Sequence, residues 1–289
     1  MTMTKNIFDY DGVEIHWCPG CGNFAIMDSL KQVLVDLKIT QQELAIITGI
    51  GQAAKTPHFM TVNFINGLHG RALPVAMGVK AVNPELTVIA ISGDGCMYSE
   101  GGNHFTHAIR RNINVTTLIH NNLVYGLTKG QASPTSQIGF KTSVQVEGVI
   151  NKPFNPIAAA VSQNASFVAR AFAGDKKHLM SIIRQAIQHK GFAMVDVLQP
   201  CVSFNKINTF QWFKERIYYL DDEYDPTDRI EAFKKAIEID KYALGVIYKN
   251  PKELPFEEKL DVYKDGNFQP IIQRKRDLEK IKKVFLTPK

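Results

Sequence analysis

The chain has 289 residues, of which 45% are hydrophobic and 21% charged, an ordinary globular composition long enough for one large α/β domain plus an extension. No uncharged apolar run is long enough to span a bilayer, and the opening MTMTKNIFDYDG lacks the apolar core of a signal peptide, so the expectation is a cytoplasmic protein with no membrane association. A net charge of +6 and a pI near 9.0 permit an acidic partner, but no helix-turn-helix, zinc-finger or aromatic RNA-binding signature accompanies the charge, which argues against nucleic acid.

The four cysteines, Cys18, Cys21, Cys96 and Cys201, are not spaced like a secreted disulfide framework. Cys18 and Cys21 form a tight CxxC in WCPGCGN, whose Pro19 and Gly20 bend the backbone so that both sulfurs can point at one centre. Zinc, an iron–sulfur cluster and a redox dithiol all use such a loop, and a plain free pair is the bland alternative. Ile26, Leu30, Val33, Leu34 and Leu37 then recur at helical spacing and predict a helix over 25–37 with one buried face. Leu44–Thr48 reads as a short buried strand, and the Gly49-Ile50-Gly51 turn after it suits a backbone that approaches a ligand closely. Further on, His69 sits between glycines and beside Arg71, ahead of the apolar small-residue run Ala72–Val79.

The stretch from Leu86 to Tyr125 organises the rest. An apolar run ends at Gly93-Asp94-Gly95, a helix begins near Gly101, and a second run, Val115–His120, ends at Asn121-Asn122. Two strands joined by a helix make a βαβ unit, and its right-handed crossover places both carboxyl ends on one edge of the sheet. Asp94 and Asn122 then face one crevice. A carboxylate, an amide oxygen and a backbone carbonyl are hard donors that suit Mg²⁺, which shares its shell with phosphates. The glycines allow a phosphate close to the backbone, and the helix amino terminus favours its charge. A GDG tripeptide alone also serves as a simple turn; the paired asparagines at the end of the next strand favour the Mg²⁺-diphosphate reading.

Thr128–Ser136 is rich in Gly, Ser, Thr and Pro and predicts a loop, and 140–155 carries no regular period and predicts a long functional loop over the site. A helix over 156–162, a strand over 167–171, a helix over 177–188 and a strand over 192–198 complete a doubly wound, mostly parallel α/β sheet. From Thr209 the composition shifts to mixed aromatics and charges, with a capping signal at Thr227-Asp228 before a helix to about Ile239 and no further βαβ alternation. The basic stretch QRKRDLEKIKKVFLTPK predicts a solvated helix. The expected division is a cofactor domain over 1–208 and a mixed extension over 209–289 that packs on the core or on a partner subunit.

GDG followed by NN is the thiamine diphosphate signature, and NNLVYGLTKGQASPTS with LHGRALPVAMGVK upstream resembles the beta subunit of 2-oxoacid:ferredoxin oxidoreductases, the likeness running from about Ile15 to Asn208. The resemblance implies the thiamine diphosphate-binding fold, with Mg²⁺ held by Asp94, Asn122 and the backbone carbonyl of Val124. It places the cofactor against Ile50, Gly51, Gln52, Ala53, His69, Gly93, Gly95, Gly126, Leu127 and Thr128, with Lys55 and Leu127 at the reacting 2-oxoacid. It also implies a 4Fe-4S cluster on Cys18, Cys21 and Cys201. Members of the family that carry the cluster have cysteine directly after the first glycine turn, whereas this chain has Gln52 there, leaving three possibilities: a non-cysteine fourth ligand, a three-iron or labile cluster, or loss of the cluster. Cys96 is the only spare cysteine, and its place two residues past Asp94 aims it at the diphosphate region.

The implied activity is oxidative decarboxylation of a 2-oxoacid with coenzyme A to acyl-CoA and CO₂, electrons leaving one at a time through the cluster to ferredoxin. A chain of this length with one diphosphate crevice has no room for the second domain that carries the aminopyrimidine-side carboxylate, so an alpha subunit is expected to complete the active site. Two rivals differ in class: a non-oxidative thiamine diphosphate-dependent decarboxylase subunit that has lost the cluster, which Gln52 favours, and a zinc-binding scaffold, which the intact NNLVYGLTKGQASPTS string argues against.

Overall fold

The apolar runs read above become the inner strands of one eight-stranded sheet in the computed structural model, which describes residues 6–263 and 265–286. In chain order the elements are α1 (Gly22–Asp36), β1 (Leu44–Thr48), a 3₁₀ turn (Ala53–Phe59), β2 (Asn63–Asn66), α2 (Ala72–Val82) and β3 (Thr87–Gly93). A π-helical turn (Cys96–Glu100), α3 (Gly102–Arg111), β4 (Thr116–Asn121), α4 (Pro156–Ser162), β5 (Phe167–Phe172), α5 (Lys176–Gln188) and β6 (Ala193–Leu198) follow. Last come α6 (Phe210–Lys214), β7 (Ile217–Tyr219), α7 (Arg229–Ala236), β8 (Tyr242–Lys249) and α8 (Leu278–Leu286).

The strands lie in the order β2-β1-β3-β4-β6-β5-β8-β7, all neighbours parallel except β5 with β8. Successive strand residues point to opposite faces, and both faces are covered, which is why the inner strands read as unbroken apolar runs. Ile46, Ile89, Ile91, Leu118 and Val195 pack under α1 and α5; Ala45, Ile47, Val88, Ala90, Ile119 and Met194 pack under α2, α3 and α4. Helix starts follow side-chain caps: Asn155 Oδ1 accepts from the Ala158 N–H, Asp175 Oδ1 from the His178 N–H, and Asp228 Oδ1 from the Ile230 and Glu231 N–H groups.

One expectation is corrected. The chain beyond Thr209 does contain a further βαβ unit, because β7 and β8 pair in parallel through α7, and β8 joins the main sheet antiparallel to β5. Three-residue β7 is too short to register as a strand, and Gly245, at φ +134, breaks the apolar pattern of β8 beside a bulge at Val168/Ala169 of β5. The basic carboxyl-terminal segment forms α8 with no buried residue. Among the described residues no helix is long and apolar enough to cross a membrane.

The β5 and β8 seam carries a pH-dependent term. His189 Nε2 lies 2.8 Å from Ser166 Oγ and its ring sits on Phe167; burial, and then the Lys249 charge, push its pKa from 6.5 down to about 4. The unfolded chain therefore binds the proton more readily, so this contribution is complete above about pH 6.5 and is lost as pH falls towards 4. Denaturant titrations at pH 7.5 and 5 should show a loss in the native chain that is smaller in His189→Gln; equal losses would refute the assignment.

Candidate active site

The site is built where three neighbouring parallel strands end. β1 leads into Gly49–Ala53, β3 into Asp94-Gly95, and β4 into Asn122–Thr128. Because β1 has β2 on one side and β3 on the other, its connections diverge there and leave a crevice outside the carboxyl ends. Ile50, Gly51, Gln52, Ala53, His69, Gly93, Asp94, Gly95, Asn122, Val124, Gly126, Leu127 and Thr128 all line this one cleft, joined by Cys96 and Tyr125.

Close backbone approach explains the glycines. A Cβ on Gly95 would stand 2.3 Å from the Tyr125 ring, and one on Gly49 would stand 2.5 Å from Cys96 Sγ. Gly70, at φ +71, runs against the Glu100 backbone. Cys96 is committed here: its sulfur accepts the Gly70 N–H at 3.0 Å and the Ile50 N–H at 3.4 Å, tying the three loops together. At the rim, His69 Nδ1 lies 3.0 Å from Glu100 Oε2, and the Tyr125 hydroxyl donates to the same carboxylate at 3.3 Å. Burial pushes Tyr125 up to about 12, so it is a hydrogen-bond donor rather than a charge.

Asp94 is the buried charge of the cleft, with 1% exposure. Burial raises its pKa to about 6 against the pull of hydrogen bonds from Ser133, Thr135 and the Asn122 backbone. Ser133 Oγ and Thr135 Oγ1 both donate to Oδ2 at 2.6 Å. Asn122 Oδ1 accepts the Val124 N–H at 3.1 Å, and Leu123 between them takes a left-handed φ of +59 that turns the chain over the cleft. One carboxylate, one amide and a carbonyl leave most of a metal shell to ligand oxygens, the pattern that suits Mg²⁺ with a diphosphate.

Two further hollows share walls with the cleft. Lys55 and Leu127 line an apolar hollow of about 360 Å³ with His16, His58, Phe59 and Asn66, and Ile50, Gly51 and Leu127 border the cleft as well. Cys18, Cys21 and Cys201 line a second hollow with Trp17, Asn23 and Gln199; Gln52, Asn122 and Gly126 form the partition between it and the cleft. Burial pushes the Cys21 thiol up to about 11, and the nearness of Cys201 and Cys18 adds to it. Gln52 Oε1 and Gln199 Oε1 are both buried there without a hydrogen-bond partner, while Gln199 Nε2 donates to Cys21 Sγ at 3.3 Å. Among the described residues no three His, Cys, Asp or Glu side chains are grouped to hold a single metal ion.

Sequence reasoning missed the hydroxyls that hold Asp94. Ser133 and Thr135, and Ser136, which donates to the Leu123 carbonyl beside them, were legible only as a loop; their signal is three hydroxyls clustered around Pro134. It also missed Trp17, whose Nε1 donates to the Gln52 carbonyl at 3.0 Å and so links the cysteine loop to the β1 turn.

Residues 47–197 match the family model of the thiamine pyrophosphate enzyme C-terminal TPP-binding domain, and residues 201–265 match that of the C-terminal part of the pyruvate ferredoxin oxidoreductase beta subunit. A 2-oxoacid:ferredoxin oxidoreductase subunit beta from Saccharolobus solfataricus is 43% identical, covering 84% of this chain and 85% of the relative. The 2-oxoacid:ferredoxin oxidoreductase 2 subunit beta of Aeropyrum pernix is 41% identical, covering 99% and 96%. A solved 2-oxoglutarate:ferredoxin oxidoreductase from Magnetococcus marinus, with 2-oxoglutarate, coenzyme A and succinyl-CoA bound, is 32% identical with a TM-score of 0.90, covering 100% of this chain and 98% of that one.

The packing of Gly95 is directly testable. Gly95→Ala drives a methyl into the Tyr125 ring and should cost about 1–3 kcal/mol of stability by denaturant titration. Adding Tyr125→Leu should recover much of that loss; a Gly95→Ala chain as stable as the native one would contradict the packing.

Proposed function

The chain belongs to the beta subunits of the 2-oxoacid:ferredoxin oxidoreductases, thiamine diphosphate-dependent oxidoreductases that work with coenzyme A, and from that premise we propose which of its residues perform which part of the reaction. The observation that carries the proposal is that every residue singled out for the cofactor lines a single cleft at the carboxyl edge of the sheet.

Asp94, Asn122 and the Val124 carbonyl would hold Mg²⁺, which would supply positive charge to a bound diphosphate; the buried carboxylate with hydroxyls on one oxygen supports this. His69, with Nδ1 turned to Glu100, keeps Nε2 for a diphosphate oxygen, and Gly93, Gly95, Gly126 and Thr128 allow the diphosphate close to the backbone. Ile50, Gly51, Gln52 and Ala53 flank the thiazolium. Bound thiamine diphosphate supplies the carbanion chemistry that releases CO₂ from a 2-oxoacid. Lys55 receives the substrate carboxylate in the apolar hollow, and Leu127 fixes the orientation of the substrate against the cofactor, a role supported by its place in both spaces.

Cys18, Cys21 and Cys201 would hold a 4Fe-4S cluster behind the partition, which would supply one-electron transfer towards ferredoxin. The placing of all three cysteines around one hollow, where Cys201 and Cys18 both bear on the Cys21 thiol, supports this. An alpha subunit supplies the aminopyrimidine-side domain, with a heterodimer or a dimer of heterodimers as the unit of function. Residues 1–208 serve the cofactor and 209–289 form an extension that covers the core or the partner, a division supported by the separate carboxyl-terminal family match. Four free cysteines suit a reducing cytoplasm.

Anaerobic purification with the partner should yield about four irons per chain. Ferredoxin reduction should require both the 2-oxoacid and coenzyme A, and Cys201→Ala should lower the iron content. Thiamine diphosphate retained without iron, with CO₂ released but no ferredoxin reduced, would instead establish the non-oxidative decarboxylase.

A further inference from the structure

The hydrogen bonds that hold Asp94 do not stop at the cleft. Thr135 Oγ1 lies 2.6 Å from Asp94 Oδ2 and 3.0 Å from Asn121 Oδ1, and both oxygens can only accept its proton. A hydroxyl has one proton, so Thr135 serves one of them at a time, and the shorter bond goes to the carboxylate. Asn121 Nδ2 donates onward to Asp196 at 3.1 Å, and Asp196 also accepts the Tyr98 hydroxyl at 2.8 Å. Arg170, 5% exposed, is the β-sheet register partner of Asp196, with Nε 3.7 Å from its carboxylate, an ion pair too long for a hydrogen bond. Asp94 follows β3, Asn121 ends β4, Asp196 lies in β6 and Arg170 in β5, so the network crosses four adjacent strands in sheet order. Tyr98 closes the ring by returning from Asp196 to the turn that begins just after Asp94. Beyond Thr135, Asn121, Asp196 and Arg170 lies a separate cavity of about 200 Å³.

We propose that Thr135 is a positioning residue that ties the Asp94 carboxylate to the buried Arg170–Asp196 pair, so that the cation affinity of the cleft is set from two strands beyond its own ligands. The inference rests on the reading that Asp94 holds the divalent cation. Ser133 and Thr135 both donate to Oδ2, and neither occupies Oδ1. Losing the Thr135 donor frees the carboxylate to rotate. Weakening Asp196 reaches the same site, because Asn121, the competing acceptor of the Thr135 proton, is then held less firmly in place. Thr135 is the point at which the two acceptors compete for one proton, so removing it should remove whatever Asn121 and Asp196 transmit to the cleft through that proton.

The probe is Mn²⁺, titrated into the full-length chain with its partner in excess thiamine diphosphate, the free ion being read by its paramagnetic resonance lines. Thr135→Val should raise the Mn²⁺ concentration for half-saturation about tenfold. Thiamine diphosphate affinity at saturating Mn²⁺ should stay within about twofold, and Thr135→Ser should recover native behaviour. Asp196→Asn should shift the Mn²⁺ half-saturation in the native background and add nothing in the Thr135→Val background. Since Asp196→Asn strands a buried Arg170, Tyr98→Phe, which removes one donor to Asp196 without stranding a charge, carries the same test if the first variant does not fold. Additive effects, or a Thr135→Val titration that matches the native one, overturn the inference. A fall in thiamine diphosphate affinity that saturating Mn²⁺ does not restore also overturns it, since that marks a disordered loop. Failure of the native chain to bind Mn²⁺ with thiamine diphosphate overturns the cofactor reading itself, and the inference with it.

Discussion

A carboxylate held out of water is the constraint on which the site turns. Asp94 is fully enclosed, and burial alone would favour its neutral form. Two hydroxyls and a backbone N–H oppose that, and each comes from a segment that must be fixed in its turn: Ser136 Oγ donates to the Leu123 carbonyl at 2.6 Å, pinning the 133–136 strap to the chain that leaves β4. A divalent cation held there, as proposed, would complete the compensation. Leaving such a group half satisfied is costly, which explains why so much of the polar interior converges on it.

The parallel sheet makes this convergence possible. Strands that run the same way bring their carboxyl ends to one edge, and the loops there can meet although they are far apart in the chain. The result is three adjoining spaces with shared walls. Leu127, Ile50 and Gly51 separate the apolar hollow from the cleft, and Gln52, Asn122 and Gly126 separate the cleft from the cysteines. Under the proposed assignment, substrate, cofactor and electron acceptor would occupy neighbouring sites, with Gln52 at the partition between the last two.

Much of this was readable in the residues, for reasons that can be stated. Leu44–Thr48 is a strand in the structure as in the sequence because both faces of β1 are buried, so its apolar run is unbroken. Asp94 and Asn122 could be placed together because glycine and asparagine mark strand ends, and the crossover rule aligns those ends. What stayed hidden depended on distant contacts. Ser133 is 39 residues from Asp94, and nothing local says that a polar loop folds back onto it. Tyr98 reaches Asp196 from 98 residues away only because the chain makes a π-helical turn there. Short β7 and glycine-broken β8 draw their stability from β5 and α7 rather than from their own pattern, so the tail read as irregular.

The central claim is that this one cleft takes thiamine diphosphate through a cation on Asp94. Calorimetric titration of thiamine diphosphate into the chain with its partner, with Mg²⁺ and then with a chelator, tests it most directly. The account predicts stoichiometric binding that requires Mg²⁺ and is lost in Asp94→Ala with the fold intact. Binding that is indifferent to Mg²⁺ or to Asp94 would contradict it.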